Sequence, residues 1–252
     1  MTRKIIQTSD DFWNIRGSYK ILGLIDLGTQ ASLVRLQSGK FVLLDSYTLT
    51  GEPKKLVMEL TDNGEAVEAI LNLHPFHTLH CANMHRDFPA AKLFGTARHV
   101  ERLPELPWES LRTEDVELQQ EYSDDFEFSI PRGVEFISDN EKVHFSSVLA
   151  YHPSSLTIHV DDTFVYARKR LSFHPTLAKV LEKRAGAVAE FREWAETLAT
   201  EWGQAENLCA AHISALTANR LGGTSMGERI LKALDGVSGK LDAHERKYGQ
   251  VN

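Results

Sequence analysis

The sequence predicts an α/β protein built as one domain, and three observations carry that expectation. An apolar stretch over residues 41–45, a helical stretch over 54–63 and a second apolar stretch over 66–73 give strand–helix–strand order, the pattern of a βαβ unit with parallel pairing. Five short β-type stretches then crowd into residues 127–167. A long helical stretch over 177–202 and a charged helical tail over 227–249 follow.

In chain order, residues 19–26 and 31–36 read as strands, and Gln37-Ser38-Gly39-Lys40 turns the second of them into 41–45. The 41–45 strand is apolar on both faces, which suits a central position, and it delivers Asp45 at its end. Thr50 to Pro53 is a loop, and Asn63-Gly64 closes the helix over 54–63. Residues 88–95 suggest a short strand. The charged, proline-bearing stretch 98–125 predicts an irregular connection. Strands are expected at 127–130, 134–137, 143–151, 156–160 and 163–167, with Asp161-Asp162 as the turn between the last two. In the 177–202 helix the apolar positions are Leu177, Val180, Leu181, Val188, Phe191, Trp194, Ala195 and Leu198. Residues 206–212 form a last short strand ending in His212.

Composition narrows the function classes. With 42% hydrophobic and 25% charged residues, the 252-residue chain matches a soluble globular protein able to bury a sizeable core. Its net charge of -7 argues against nucleic acid as a general partner. No stretch approaches the ~20 apolar residues of a membrane span, and the N-terminus lacks a signal-peptide apolar region. Two cysteines, Cys81 and Cys209, are too few for a disulfide framework, so a cytoplasmic setting is expected. For assembly only general priors speak, and they favour a homodimer.

Chemistry concentrates in one segment. His74, His77, His80 and His85 fall within twelve residues of a chain that has eleven histidines. Neutral imidazole is the commonest protein metal ligand. Apolar strands ending in a candidate ligand recur at Leu44-Asp45, Leu73-His74 and Tyr151-His152, with Ala211-His212 as a weaker case. Strand ends that share one edge of a sheet converge, and α/β folds bind ligands there. Each candidate has a plainer role as well. The histidine cluster could be a polar turn that satisfies its own hydrogen bonds, His152 a structural histidine, and His212 a loop residue. Asp45 could orient a ligand histidine or cap a turn, and Arg168-Lys169-Arg170 could bind an anion or form a solvated face. The two cysteines, each beside a candidate ligand, could supply a thiolate or fill buried space.

These segments resemble the metallo-β-lactamase superfamily from about Gly28 to His212. The opening hairpin with Ser38-Gly39-Lys40 and Val42-Leu43-Leu44-Asp45, the strand Ile70-Leu71-Asn72-Leu73-His74, the turn His152-Pro153-Ser154-Ser155 and the end Cys209-Ala210-Ala211-His212 are similar to successive family segments. The resemblance implies a four-layer αβ/βα sandwich, with a core over about 15–215 and a helical extension over about 216–252. It also implies one divalent metal ion, with zinc expected and iron or manganese as alternatives. The metal would be held by His74, His77, His152 and His212, with His80 as the alternate. The implied activity is hydrolysis of a small ester, thioester, lactone or phosphoester by a metal-bound hydroxide. The family motif His-x-His-x-Asp-His is altered: Phe76, Thr78 and Leu79 stand where its second histidine, its aspartate and its last histidine belong. The bridging aspartate expected after residues 163–167 is replaced by Arg168-Lys169-Arg170. A catalytically silent module that binds a ligand or protein is the alternative.

Overall fold

A computed structural model describes residues 4–21 and 25–249. It opens with a hairpin that the sequence reading did not anticipate, β1 (Ile5–Ser9) and β2 (Phe12–Gly17). The strand expected over 19–26 is a short antiparallel pair, β3 (Lys20–Ile21) and β4 (Ile25–Asp26), and residues 22–24 of that expectation lie outside the described residues. The hairpin β5 (Thr29–Arg35) and β6 (Phe41–Leu44) forms as predicted. Next come α1 (Gly51–Leu60), β7 (Val67–Leu71), α2 (Cys81–Asp87) and β8 (Lys92–Phe94). Pro53 sits in the first turn of α1, where no intrahelical partner waits for its missing N–H. These strands form a six-stranded sheet in the order β1-β2-β5-β6-β7-β8, and β6, β7 and β8 run parallel, as the βαβ pattern requires.

Three later expectations need correction. The connection over 98–125 holds two short helices, α3 (Ala97–Arg102) and α4 (Val116–Glu121). After β9 (Glu127–Ser129), residues 134–137 contribute only an isolated bridge from Val134 to Leu181. Residues 143–148 are irregular, so the strand expected over 143–151 shortens to β10 (Leu149–His152). Both stretches have strand-like alternation because Val143, Phe145 and Val134 are buried, but loops carry them into the core. β11 (Thr157–Val160) pairs antiparallel with β10 and parallel with β14 (Asn207–Ala210), giving a second sheet in the order β14-β11-β10-β9. Arg168 and Lys169, both at positive φ, are the turn of a separate hairpin, β12 (Phe164–Ala167) and β13 (Arg170–Phe173), which Arg170 opens.

The helix expected over 177–202 is two helices, α5 (Leu177–Val180) and α6 (Ala187–Glu201). Gly186, at φ 83, separates them; that conformation suits a residue without Cβ and precedes the first turn of α6. The apolar positions Val188, Phe191, Trp194, Ala195 and Leu198 all face the core from α6. The tail is α7 (Met226–Asp235) and α8 (Ser238–Tyr248). Ser225 and Glu228 form a reciprocal cap at the start of α7. Helices α6 and α7 cross closely at Gly227, where a Cβ would meet the Ala199 carbonyl oxygen at 2.4 Å. Among the described residues, no helix is long and apolar enough to cross a membrane.

Three apolar clusters define four layers. Leu33, Phe41, Leu43 and Ile70 pack on Val57 of α1 and Met84 of α2. Their strand neighbours Val34, Val42, Leu44 and Leu71 turn the other way and meet Ala150 and Cys209 of the second sheet. The outer face of that sheet, with Tyr151, Ile158 and Leu208, packs on α6 and α7. Helices, sheet, sheet, helices is the four-layer αβ/βα sandwich expected from the sequence.

His99 in α3 shows what burial does to one histidine of this scaffold. Its ring is inaccessible, Nδ1 accepts from the Thr96 N–H at 3.1 Å, and Nε2 has no hydrogen-bond partner among the described residues. Burial, followed by the charges of His74 and His77, pushes His99 down from 6.5 to about 3. Its folded value lies below its unfolded one, so between these limits the unfolded chain takes up a proton that the folded chain refuses. Stability is therefore lost as pH falls from 6.5 toward 3, at about 1.4 kcal/mol per pH unit. Denaturant unfolding at pH 7 and pH 5 should show a smaller acid penalty in His99→Gln than in the parent; equal penalties would remove His99 as the cause.

Candidate metal centre

Four strands end at one place between the sheets. β6 ends before Asp45, β7 before Asn72-Leu73-His74, β11 before Asp161-Asp162, and β14 before Ala211-His212. The parallel pairs β6–β7 and β11–β14 deliver these residues to the same edge of the sandwich.

The deeper part is a polar network with its bonds satisfied. Asp45 Oδ1 accepts the Leu73 N–H at 2.7 Å and the His74 N–H at 3.3 Å, and so ties the end of β6 to the chain leaving β7. Its other oxygen meets His159 Nε2 at 2.8 Å, and His159 Nδ1 meets Ser32 Oγ at 2.9 Å. Asp161 accepts from the Gln30 amide at 3.0 Å and meets His77 Nδ1 at 2.7 Å. Gln30 also donates to the Val160 and Cys209 carbonyls, while Arg16 grips the Ala210 and Ala211 carbonyls just before His212. Polar side chains of the first sheet thus hold the strand ends of the second.

In front of this network stands Asp162, almost fully buried and surrounded by imidazoles. His212 Nε2 lies 2.8 Å from Oδ1, and His74 Nε2 lies 3.3 Å from Oδ2. His77 Nε2 and His144 Nδ1 are 3.8 and 3.7 Å from Oδ2. Neither Asp162 Oδ1 nor His74 Nε2 has an aligned hydrogen bond among the described residues, although both are buried. His74 and His77 stack with ring centroids 4.1 Å apart. The group opens into a cavity of about 370 Å³ lined by Tyr19, Phe76, His80, Lys142, His144 and His174, among others.

The electrostatics call for positive charge. Burial alone would lower His77, but the charge and hydrogen bond of Asp161, with Asp162 and Asp45 behind them, raise it to about 9. His212 is likewise raised: burial opposes the shift, and Asp162 outweighs burial. Burial would raise Asp161 and Asp162, yet the facing histidines hold both below the usual carboxylate range. Asp45 moves the other way, raised by burial and by the nearby Asp161 charge.

Of the predicted residues, the structure brings His74, His77 and His212 together. His152 stands apart. β10 runs antiparallel to β11, so its final residue pairs with Thr157 at the start of β11, while Asp162 follows the end of that strand. His152 is buried against Phe12 and Phe126, and its Nδ1 meets Ser155 Oγ at 2.8 Å. His80 lines the cavity but turns Nδ1 to Thr48 Oγ1 at 2.8 Å. Residues 75–80 are turns and irregular chain, and α2 begins only at Cys81, so His77 and His80 share no helix face. Burial pushes both cysteine thiols up to about 12, so neither is a thiolate in the metal-free protein.

Asp161, Asp162, His144 and His159 are additions. The two aspartates are not an exposed turn: they follow the apolar strand β11, the same signal that singled out Asp45 and His74. No acid directly follows residues 163–167; Asp162 lies on the other side of that strand, just before it.

No protein-family model and no curated protein sequence matches the chain. Solved structures do. A metallo-β-lactamase from Erythrobacter litoralis, crystallised with β-mercaptoethanol in the active site, superposes with a TM-score of 0.61 at 13% identity, covering 94% of this chain and 98% of its own. A metallo-β-lactamase from Pontibacter korlensis gives 0.56 at 13% identity, with 92% and 98% covered. The FIM-1 metallo-β-lactamase of Pseudomonas aeruginosa in its mono-zinc form gives 0.57 at 10% identity, with 93% and 95% covered. The fold of this chain is the metallo-β-lactamase fold.

Proposed function

We propose that the chain is a metal-dependent hydrolase of a small ester, thioester, lactone or phosphoester, acting with one divalent ion. One observation carries the reading. His212 donates through Nδ1 to the Gly28 carbonyl at 2.9 Å, which leaves Nε2 turned toward the buried Asp162 Oδ1, 2.8 Å away. A proton on Nε2 joins the two in the metal-free protein, in keeping with the raised His212, and a divalent ion would take that proton's place between an imidazole nitrogen and a buried carboxylate. His77 is set the same way: Asp161 Oδ2 accepts from its Nδ1–H, and Nε2 faces Asp162. His74, His77 and Asp162 place donor atoms within 4.8 Å of one another, and His212 Nε2 adds a further nitrogen 2.8 Å from Asp162; nitrogen and oxygen donors of this kind suit zinc, iron or manganese.

When bound, such an ion supplies Lewis acidity, which polarises a scissile bond and makes water a nucleophile near neutral pH. The protein's own groups supply position. Asp161 and the Gly28 carbonyl orient the two imidazoles, and partners of this kind raise ligand basicity. The cavity admits a small substrate beside Phe76, with Lys142 available to an anionic group. The mono-zinc form of FIM-1 supports one ion on this fold. A cytoplasmic location and a homodimer are part of the same proposal, resting on the cysteine usage and on priors.

Elemental analysis of protein purified after growth with zinc, iron and manganese should find about one metal per chain. His77→Ala and His212→Ala should each bring it near background, while His152→Ala should not. Metal near zero in the parent under every supplement would overturn the hydrolase and leave a catalytically silent binding module. Loss in His152→Ala alone would overturn the ligand set.

A further inference from the structure

We infer that His74 serves this pocket as an N–H donor beside Asp162 and not as a metal ligand. The inference rests on the metal reading above for its consequence, but its evidence is independent of any ion.

The Phe76 backbone N–H lies 3.1 Å from His74 Nδ1. A backbone amide can only donate, so Nδ1 must present its lone pair. The single proton of the neutral ring then sits on Nε2. A protonated ring nitrogen has no lone pair for a metal. The turn fixes this choice: His77 N–H bonds the His74 carbonyl at 3.0 Å, and Pro75, which has no N–H, occupies the corner between them. His77 and His212 are the opposite case. Their Nδ1 atoms face Asp161 Oδ2 at 2.7 Å and the Gly28 carbonyl at 2.9 Å, both acceptors, so Nδ1 keeps its proton and an ion could displace the one on Nε2. Three imidazoles thus meet at Asp162, two with Nδ1 held by acceptors and one with Nδ1 held by a donor.

His74 is also placed to use its proton. The ring is inaccessible, it stacks on His77, and its Nε2 faces Asp162 Oδ2 at 3.3 Å without an aligned hydrogen bond among the described residues. A buried donor left in that state has a place for an acceptor, either the Asp162 carboxylate after a small shift or an oxygen of the substrate entering from the cavity. This makes His74 a positioning residue for Asp162 and leaves His77, His212 and Asp162 as the ligands, with the remaining coordination positions open to water and substrate.

Long-range ¹H–¹⁵N correlation spectra of ¹⁵N-histidine-labelled, metal-free protein read the tautomer directly. His74 should give the Nε2–H pattern, and an Nδ1–H pattern would overturn the inference. Zinc affinity by chelator competition gives a second reading. His74→Gln keeps an N–H donor near the Nε2 position and should hold zinc within about threefold of the parent, whereas His77→Gln and His212→Gln should lose at least about 100-fold, because even partners outside the ligand set are worth roughly 10–100-fold. If His74→Gln folds and loses as much zinc as His77→Gln, His74 is a ligand and the inference fails. If the parent binds no zinc, the proposed function fails, while the tautomer still decides whether His74 is the donor assigned here.

Discussion

Replacing Asp162 by asparagine is expected to lower zinc affinity at least about 100-fold, more than loss of a single orienting partner would. The substitution keeps volume and shape and removes only charge and one acceptor. Among the described residues, Asp162 alone faces His74, His77, His144 and His212 together, through its own two oxygens. Without its charge, His74, His77, His144 and His212 lose the carboxylate that they share, and a neutral amide oxygen is a weaker ligand for a cation. Thermal unfolding supplies the check. A ligand present at 100 times its dissociation constant stabilises a protein by about 2.7 kcal/mol. Zinc at that excess should raise the parent's melting temperature and leave Asp162→Asn almost unmoved. Equal stabilisation of the two proteins would remove Asp162 from the ligand set.

That residue also shows where sequence reading reaches its limit. Asp45 and His74 were legible because each ends an apolar strand and a loop follows. Asp161-Asp162 ends one too, but β12 starts two residues later, and local chemistry alone then favours a turn. What separates a turn from a metal pocket here is burial, and burial depends on His74 and His212 arriving from distant parts of the chain. His152 is the converse case. The strand end was correctly located, but its direction was not, because nothing local states that β10 runs against β11. The fold was more legible than the site. Parallel β6 and β7 follow from strand–helix–strand order alone. The strand readings at 134–137 and 143–148 failed because alternating burial also arises when an irregular chain dips into a core. The β1–β2 hairpin was missed although Phe12, Trp13 and Ile15 are all buried.

Asp45→Ala should cost roughly 3–5 kcal/mol of folding stability, the range for breaking one partner out of a buried charged network. The carboxylate satisfies two backbone N–H groups and His159, all of them buried. Alanine strands the three donors at once, and a buried donor without a partner costs about 1–3 kcal/mol. Asp45 also holds φ 58, a conformation that aspartate and asparagine tolerate better than alanine. An asparagine at this position would keep that backbone and one acceptor oxygen for the Leu73 and His74 amides, so Asp45→Asn should lose clearly less than Asp45→Ala. Urea unfolding of the two variants beside the parent tests both the size and the order of the losses; a loss below about 1 kcal/mol in Asp45→Ala would show that the network is dispensable. The effect should reach the metal centre as well. Asp45 fixes the His74 amide, and the His74–Pro75–Phe76 turn sets both the His74 tautomer and the approach of His77 to Asp162. A chain that loses this anchor while still folded should bind zinc about 10–100-fold more weakly, as expected when an outer partner of a metal site is removed. One buried carboxylate at the end of β6 would then hold together the parallel strands and the pocket that they frame.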